Sequence, residues 1–208
     1  TLIEGTKCAT AVDYYLLGQL TARVEKKPKA AIRCYEKALL LQPDHSPSLF
    51  YLAYRLNHFG NAAEAARVYR ACLALRPNEW LVMNNLGNCL KTLGKYEQAV
   101  EFLTRAIASV KGDEAAGILT NRAGAYIELE MYDAALADLN SAIELDSGIF
   151  EAYWNRALVH QHFGALEEAV VDCNRALELG ATAKAPATSL AAIYSNRGSC
   201  HFDRQDYD

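Results

Sequence analysis

Small and large apolar residues recur along this chain with a single spacing. Ala31, Ala65, Ala99, Ala135 and Ala169 are separated by 34, 34, 36 and 34 residues. Four residues after each stands Tyr35, Tyr69, Leu103, Leu139 or Cys173, and seven after each Ala38, Cys72, Ala106, Ala142 or Ala176. Steps of four and seven keep these side chains on one helical face. An earlier segment of each unit carries a second signature: Tyr14-Leu17-Gly18, Leu49-Leu52-Ala53, Met83-Leu86-Gly87, Leu119-Arg122-Ala123, Tyr153-Arg156-Ala157 and Tyr194-Arg197-Gly198. It is also helical, and its small residue admits a neighbouring helix closely. A period near 34 built from two such segments predicts stacked helix pairs, an all-α solenoid of about five and a half repeats.

The punctuation agrees. Gly60, Gly94 and Gly164 stand where the first helix of a pair should end in a left-handed residue. Pro43 and Pro77 follow second helices, which a proline cannot continue. Asp44, Ser46, Asn78, Asp113 and Ser147 are the expected caps. The repeats then span about 11–45, 46–79, 80–115, 116–149 and 150–190, with a partial one at 191–208, after a tail or the end of a preceding element at 1–10. Lys26-Lys27-Pro28, Ser109–Gly117 and Gly180–Ser189 lengthen three junctions, and Pro186 forbids one continuous helix across the last. An array that stops mid-repeat reads as a piece of something longer.

These units resemble tetratricopeptide repeats. The third matches best, from Trp80 through Leu86-Gly87, Leu90, Gly94, Tyr96, Ala99, Leu103 and Ala106. The resemblance covers roughly residues 11–208. It implies antiparallel helix pairs winding into a right-handed superhelix, with an inner groove lined by the first helices, and a role in protein–protein interaction without catalysis.

Composition narrows the classes. Apolar residues make up 51% of 208, and charge interrupts every apolar stretch before 18 residues, so no transmembrane helix is expected. The net charge of −4, with basic residues scattered among acids, argues against nucleic acid as a partner. Six cysteines include no CxxC pair, and several fall where other repeats place alanine or an aromatic. They read as reduced core thiols in a cytoplasmic protein.

Ligand chemistry concentrates on the first helices. Asn85, Asn121, Asn155 and Asn196 each lie two residues before the small residue. A row of carboxamides offers donors and acceptors to the backbone of an extended peptide, whatever its side chains. Resemblance to tetratricopeptide proteins that hold peptides extended supports this reading; the alternative is that the amides only tie adjacent repeats together. Phe50, Tyr51, Tyr54 and His58, with Trp154 and Phe202, are candidate apolar anchors, or else packing residues between helices. Tyr51 takes the amide's place in the second repeat.

The carboxylate clamp of chaperone-binding relatives is not expected. Its register offers Asn88 and Asn121 as matches, but Asn84, Glu151 and Asn155 where cations are needed. Arg122 and Arg156 replace leucine, while Asp138 and Asp172 replace Phe102 and Val68, which predicts the pairs Arg122–Asp138 and Arg156–Asp172. His160 and His201 read as packing residues, and with His162 they fall short of three convergent metal ligands. No phosphate loop, nucleophile elbow or HExxH motif occurs, so no catalytic residue, metal or cofactor is expected. The function expected is a module holding an extended segment of a partner protein. Two alternatives stand: a structural scaffold subunit of a large assembly of ciliary, transport or import type, and the substrate-selecting arm of a larger enzyme.

Overall fold

The computed structural model describes residues 8–24 and 27–204. Its described residues form eleven helices in two compact units, Thr1–Ser109 and Val110–Asp208. The first unit holds α1 (Ala11–Arg23), α2 (Pro28–Leu41), α3 (Ser46–His58), α4 (Ala62–Leu75), α5 (Trp80–Thr92) and α6 (Tyr96–Ala108). The second holds α7 (Glu114–Glu128), α8 (Tyr132–Leu145), α9 (Phe150–His162), α10 (Leu166–Thr182) and α11 (Ala187–Asp203). Within each unit the chain runs as antiparallel hairpins, a first helix and a second, each pair stacked on the next as in an α-solenoid.

The repeating register is the core. Ala31, Tyr35, Ala38, Ala65, Tyr69, Cys72, Ala99, Leu103 and Ala106 are all at most 1% exposed in the first unit. Ala135, Leu139, Ala142, Ala169, Cys173 and Ala176 are fully buried in the second. The small residue of the first helix is explained by direct contact. A Cβ on Gly18 would lie 2.5 Å from Tyr35 Cε1, and one on Gly87 would lie 2.6 Å from Leu103 Cγ. The large residue of the second helix fills the notch that the glycine leaves.

Gly60, Gly94 and Gly164 adopt φ of 78°, 69° and 74°, as the pattern requires. The corresponding stop in the fourth hairpin is Glu130, at φ 58°, a non-glycine carrying the same left-handed turn. The expected caps need correction. Asp44, Asn78 and Ser147 lie in two-residue turns, and Ser46 is already the first residue of α3. A further residue in non-helical conformation follows each turn, so the cap falls downstream, at His45, Glu79 and Ile149. Asp113 does hold the cap position of α7, but its side chain forms no cap hydrogen bond. The caps whose side chains accept are Thr10, in a capping box with Asp13, and Asn61, which accepts from Glu64 N–H.

The long last junction is shared between helix and loop. α10 runs 17 residues, to Thr182, and Pro186 caps α11. Lys26, most of the expected tail at 1–10 and the start of a second helix at 206–208 lie outside the described residues.

Candidate functional site

Arg156 donates from Nε and Nη2 to both oxygens of Asp172, each at 2.8 Å. Arg122 does the same to Asp138, each at 2.7 Å. Both aspartates are buried, and the carboxylate beside each guanidinium raises the arginine pKa. The predicted pairs therefore form within their hairpins. Sequence reasoning missed a second contact: Arg156 Nη1 donates to Asn140 Oδ1 at 2.9 Å, and Arg197 Nη1 to Asn174 Oδ1 at 2.7 Å. Each pins a first helix to the second helix of the preceding hairpin. The available signal was an asparagine two residues before Ala142 and again before Ala176. His160 Nε2 stands 3.7 Å from Asp172 Oδ2, at the edge of a cleft of about 560 Å3 that Glu167 and Glu168 also line. Among the described residues no group of three or more His, Cys, Asp or Glu is arranged to hold a metal.

The candidate amides have different fates. In the second unit α9 lies beside both α7 and α11, so Asn121, Asn155 and Asn196 occupy one register on neighbouring first helices. Asn85 holds that register on α5 of the first unit. Asn196 is engaged internally: with its amide turned in the orientation that satisfies both groups, its oxygen accepts from Trp154 Nε1 at 2.9 Å and its nitrogen donates to Ala192 O at 3.3 Å. Trp154 thus joins α9 to α11, with its indole packed on the core around Phe150 and Ile193. Asn85 and Asn155 are half-buried, and neither side chain hydrogen-bonds another described residue. The Asn88 side-chain Oδ1 is buried, also without a partner among the described residues.

The aromatic candidates separate in the same way. Tyr51 stacks on Tyr35, with centroids 6.1 Å apart at 27°, and lies 5.8 Å from Tyr15. Phe50 meets Tyr51 edge-on at 5.2 Å and Tyr69 at 6.1 Å. These rings weld α1 to α4 together, and burial pushes the Tyr35 phenol up to about 12. Tyr54 and Phe202 are instead solvent-facing, at 44% and 67% exposure. Phe50 and Tyr51 also face outward into a cleft of about 270 Å3, closed by Pro47, Leu81 and Val82 with Arg76 at its rim. Leu81 and Arg76 were not anticipated, although the second unit has Glu151 and Asp146 at the same register.

The chain belongs to the tetratricopeptide repeat family. Family profiles described as "Tetratricopeptide repeat" match residues 15–79 and 120–186, and another matches 56–122. Protein FlbA of Caulobacter vibrioides is 32% identical over 153 residues, which is 71% of this chain and 24% of FlbA. The chain thus spans about a quarter of that relative. Among solved structures, a fragment of MamA from Desulfovibrio magneticus RS-1 superposes with a TM-score of 0.75 at 19% identity, covering 85% of this chain and 98% of that one. YrrB, described as "a TPR protein with an unusual peptide-binding site", gives 0.67 at 20% identity over 81% and 86%. At these identities the likeness is one of fold. The family and fold make the chain a protein–protein interaction module. No described helix is long and apolar enough to cross a membrane.

Proposed function

We propose that this module holds an extended segment of a partner protein along its first helices, with Asn121 and Asn155 of the second unit pairing to the segment's backbone and Asn85 offering the same group in the first unit. The observation that carries the reading is the state of Asn85 and Asn155. Both sit at one register of a first helix, half-buried, with no hydrogen bond to a described residue. A carboxamide in such a place has its donors and acceptor available to a peptide. Asn196 drops out of the row, because Trp154 occupies it. Trp154 and Tyr51 act mainly as supports, whereas Phe50 and Tyr54 retain faces for the ligand. Description of YrrB as a peptide-binding protein of like fold agrees with this role.

The same proposal excludes a terminal-carboxylate clamp, since Glu151 would repel the anion where a cation is needed. It assigns the protein to the cytoplasm, because six free thiols persist best in a reducing compartment. The test is to capture the partner with the full-length protein and then replace Asn85, Asn121 and Asn155 together with alanine. Loss of the three amides should weaken a peptide by about 0.5–1.5 kcal/mol each. Unchanged affinity in a folded triple variant eliminates the amide row.

A further inference from the structure

The cleft between the first turns of α3 and α5 has a chemistry that its counterpart in the second unit lacks. Phe50, Tyr51, Leu81 and Val82 line it with apolar surface, Arg76 and Glu79 are its charged residues, and Ser46, Pro47 and Cys72 complete it. The same register between α7 and α9 carries Thr120, Asn121, Glu151, Ala152, Ala142 and Asp146, with Ile149 where the first unit has Glu79. The second unit thus carries threonine, asparagine and glutamate where the first has Phe50, Tyr51 and Leu81, and aspartate where the first has Arg76. Two further observations define what fits.

Size comes first. About 270 Å3 lies below the ~300–1,000 Å3 of pockets that take drug-sized molecules, so the cleft suits a single large side chain. Leu81 is 37% exposed at its mouth, a position where solvent would otherwise be met by an unneeded apolar group.

Charge comes second. Residues 1–109 carry fourteen Lys and Arg against nine Asp and Glu, a net +5, whereas residues 110–208 carry seven against sixteen, a net −9. At the rim, Arg76 Nη1 stands 3.9 Å from Glu79, and the arginine side chain is 59% exposed. One long contact leaves most of the five guanidinium N–H donors directed to solvent. A carboxylate on the partner would complete them.

We propose that this cleft selects, from an extended partner segment, a large apolar side chain flanked by an acidic residue. The inference rests on the groove reading above and shares Phe50 with it, but it does not use the amides. The apolar side chain enters against Phe50, Tyr51, Leu81 and Val82, and the neighbouring carboxylate meets Arg76. The corresponding place in the second unit, with Glu151 and Asp146, repels such a pair, so the two units differ in charge at this register.

The probes are two fluorescein-labelled Gly/Ser peptides with a single central Phe, flanked by Asp in one and by Lys in the other. Anisotropy titrations use the whole 208-residue chain. The Asp-flanked peptide should bind about fivefold more tightly, the size expected of an exposed charge pair together with the unit's field. Leu81→Glu, which installs the second unit's residue, should weaken it by about tenfold or more. Arg76→Asp should erase the preference for Asp over Lys, and added salt should diminish it in the unaltered chain. Equal affinity for the two peptides overturns the proposal. So does binding unchanged by Leu81→Glu with an unaltered melting curve, or no binding of either peptide at about 1 mM. An Asn85→Ala/Asn155→Ala variant in the same assay separates the two readings. Loss there with silent cleft variants keeps the amide row and removes the cleft, and the reverse keeps the cleft alone.

Discussion

Arg156 and Asp172 face each other across one helical hairpin with two hydrogen bonds of 2.8 Å, while a third nitrogen of the same guanidinium reaches Asn140 of the hairpin before it. Unit one uses Leu52 with Val68, and Leu86 with Phe102, at the same register. Two chemistries, ionic and apolar, thus fill one structural slot. The ionic version adds a pin between repeats that the apolar version lacks.

That equivalence yields a stability prediction. Removing the aspartate leaves the partly buried Arg156 charge without its counter-ion, so Asp172→Ala should cost about 3 kcal/mol. Changing both, Arg156→Leu with Asp172→Val, reproduces the Leu52–Val68 solution and should return to within about 1 kcal/mol of the parent. Urea midpoints of the three proteins check this. A double variant no better than Asp172→Ala would show that the Asn140 pin, rather than the ion pair, holds the hairpins.

Glycines at one register should respond in opposite ways. Gly87 meets Leu103, which is fully buried, so Gly87→Ala should cost about 1–3 kcal/mol through overpacking. At Gly198 nothing lies within 4 Å of the added Cβ, so Gly198→Ala should be neutral or stabilise α11 by up to about 1 kcal/mol. Thermal melts of the two variants, read side by side, decide the matter.

Buried thiols set an alkaline limit. Burial pushes Cys89 and Cys173 from 9.0 up to about 11. Both are protonated in folded and unfolded chains below pH 9, and above it only the unfolded chain ionises freely. Stability is therefore present below about pH 9 and is lost as pH rises through about 11, with more than one group involved. Replacing both by alanine should flatten the fall by roughly 1–3 kcal/mol per thiol across that window. Denaturation midpoints at pH 8, 9.5 and 11 would measure it, and identical slopes in parent and variant would contradict it.

Much of this architecture was legible because each repeat restates the same contact. Ala65, Tyr69 and Cys72 say what Ala99, Leu103 and Ala106 say, and five restatements leave little freedom of register. The Arg–Asp pairs were legible for a related reason: two positions changed together in two repeats. Elements outside the repeat were not. Helix starts moved downstream because the turn takes one residue more than a capping motif suggests. Glu130 carries a left-handed turn that side-chain type does not announce.

In the site, Asn196 resembles Asn155 in sequence yet is occupied, because Trp154 reaches it from the neighbouring helix. No spacing rule within one helix reveals such a lateral contact. The cleft beside Phe50 was equally hidden, since Leu81 and Arg76 look like ordinary surface positions until α3 and the α4–α5 junction are brought together.

The central claim is that side-chain amides of the first helices pair with a partner's backbone. Once the bound segment is defined, the most direct measurement is an ester scan, replacing its backbone N–H groups by oxygen one at a time. Sites opposite Asn85, Asn121 and Asn155 should each lose about 0.5–1.5 kcal/mol, while most side-chain-to-alanine changes leave affinity unaltered. A flat ester scan, with affinity governed by side chains alone, would contradict it.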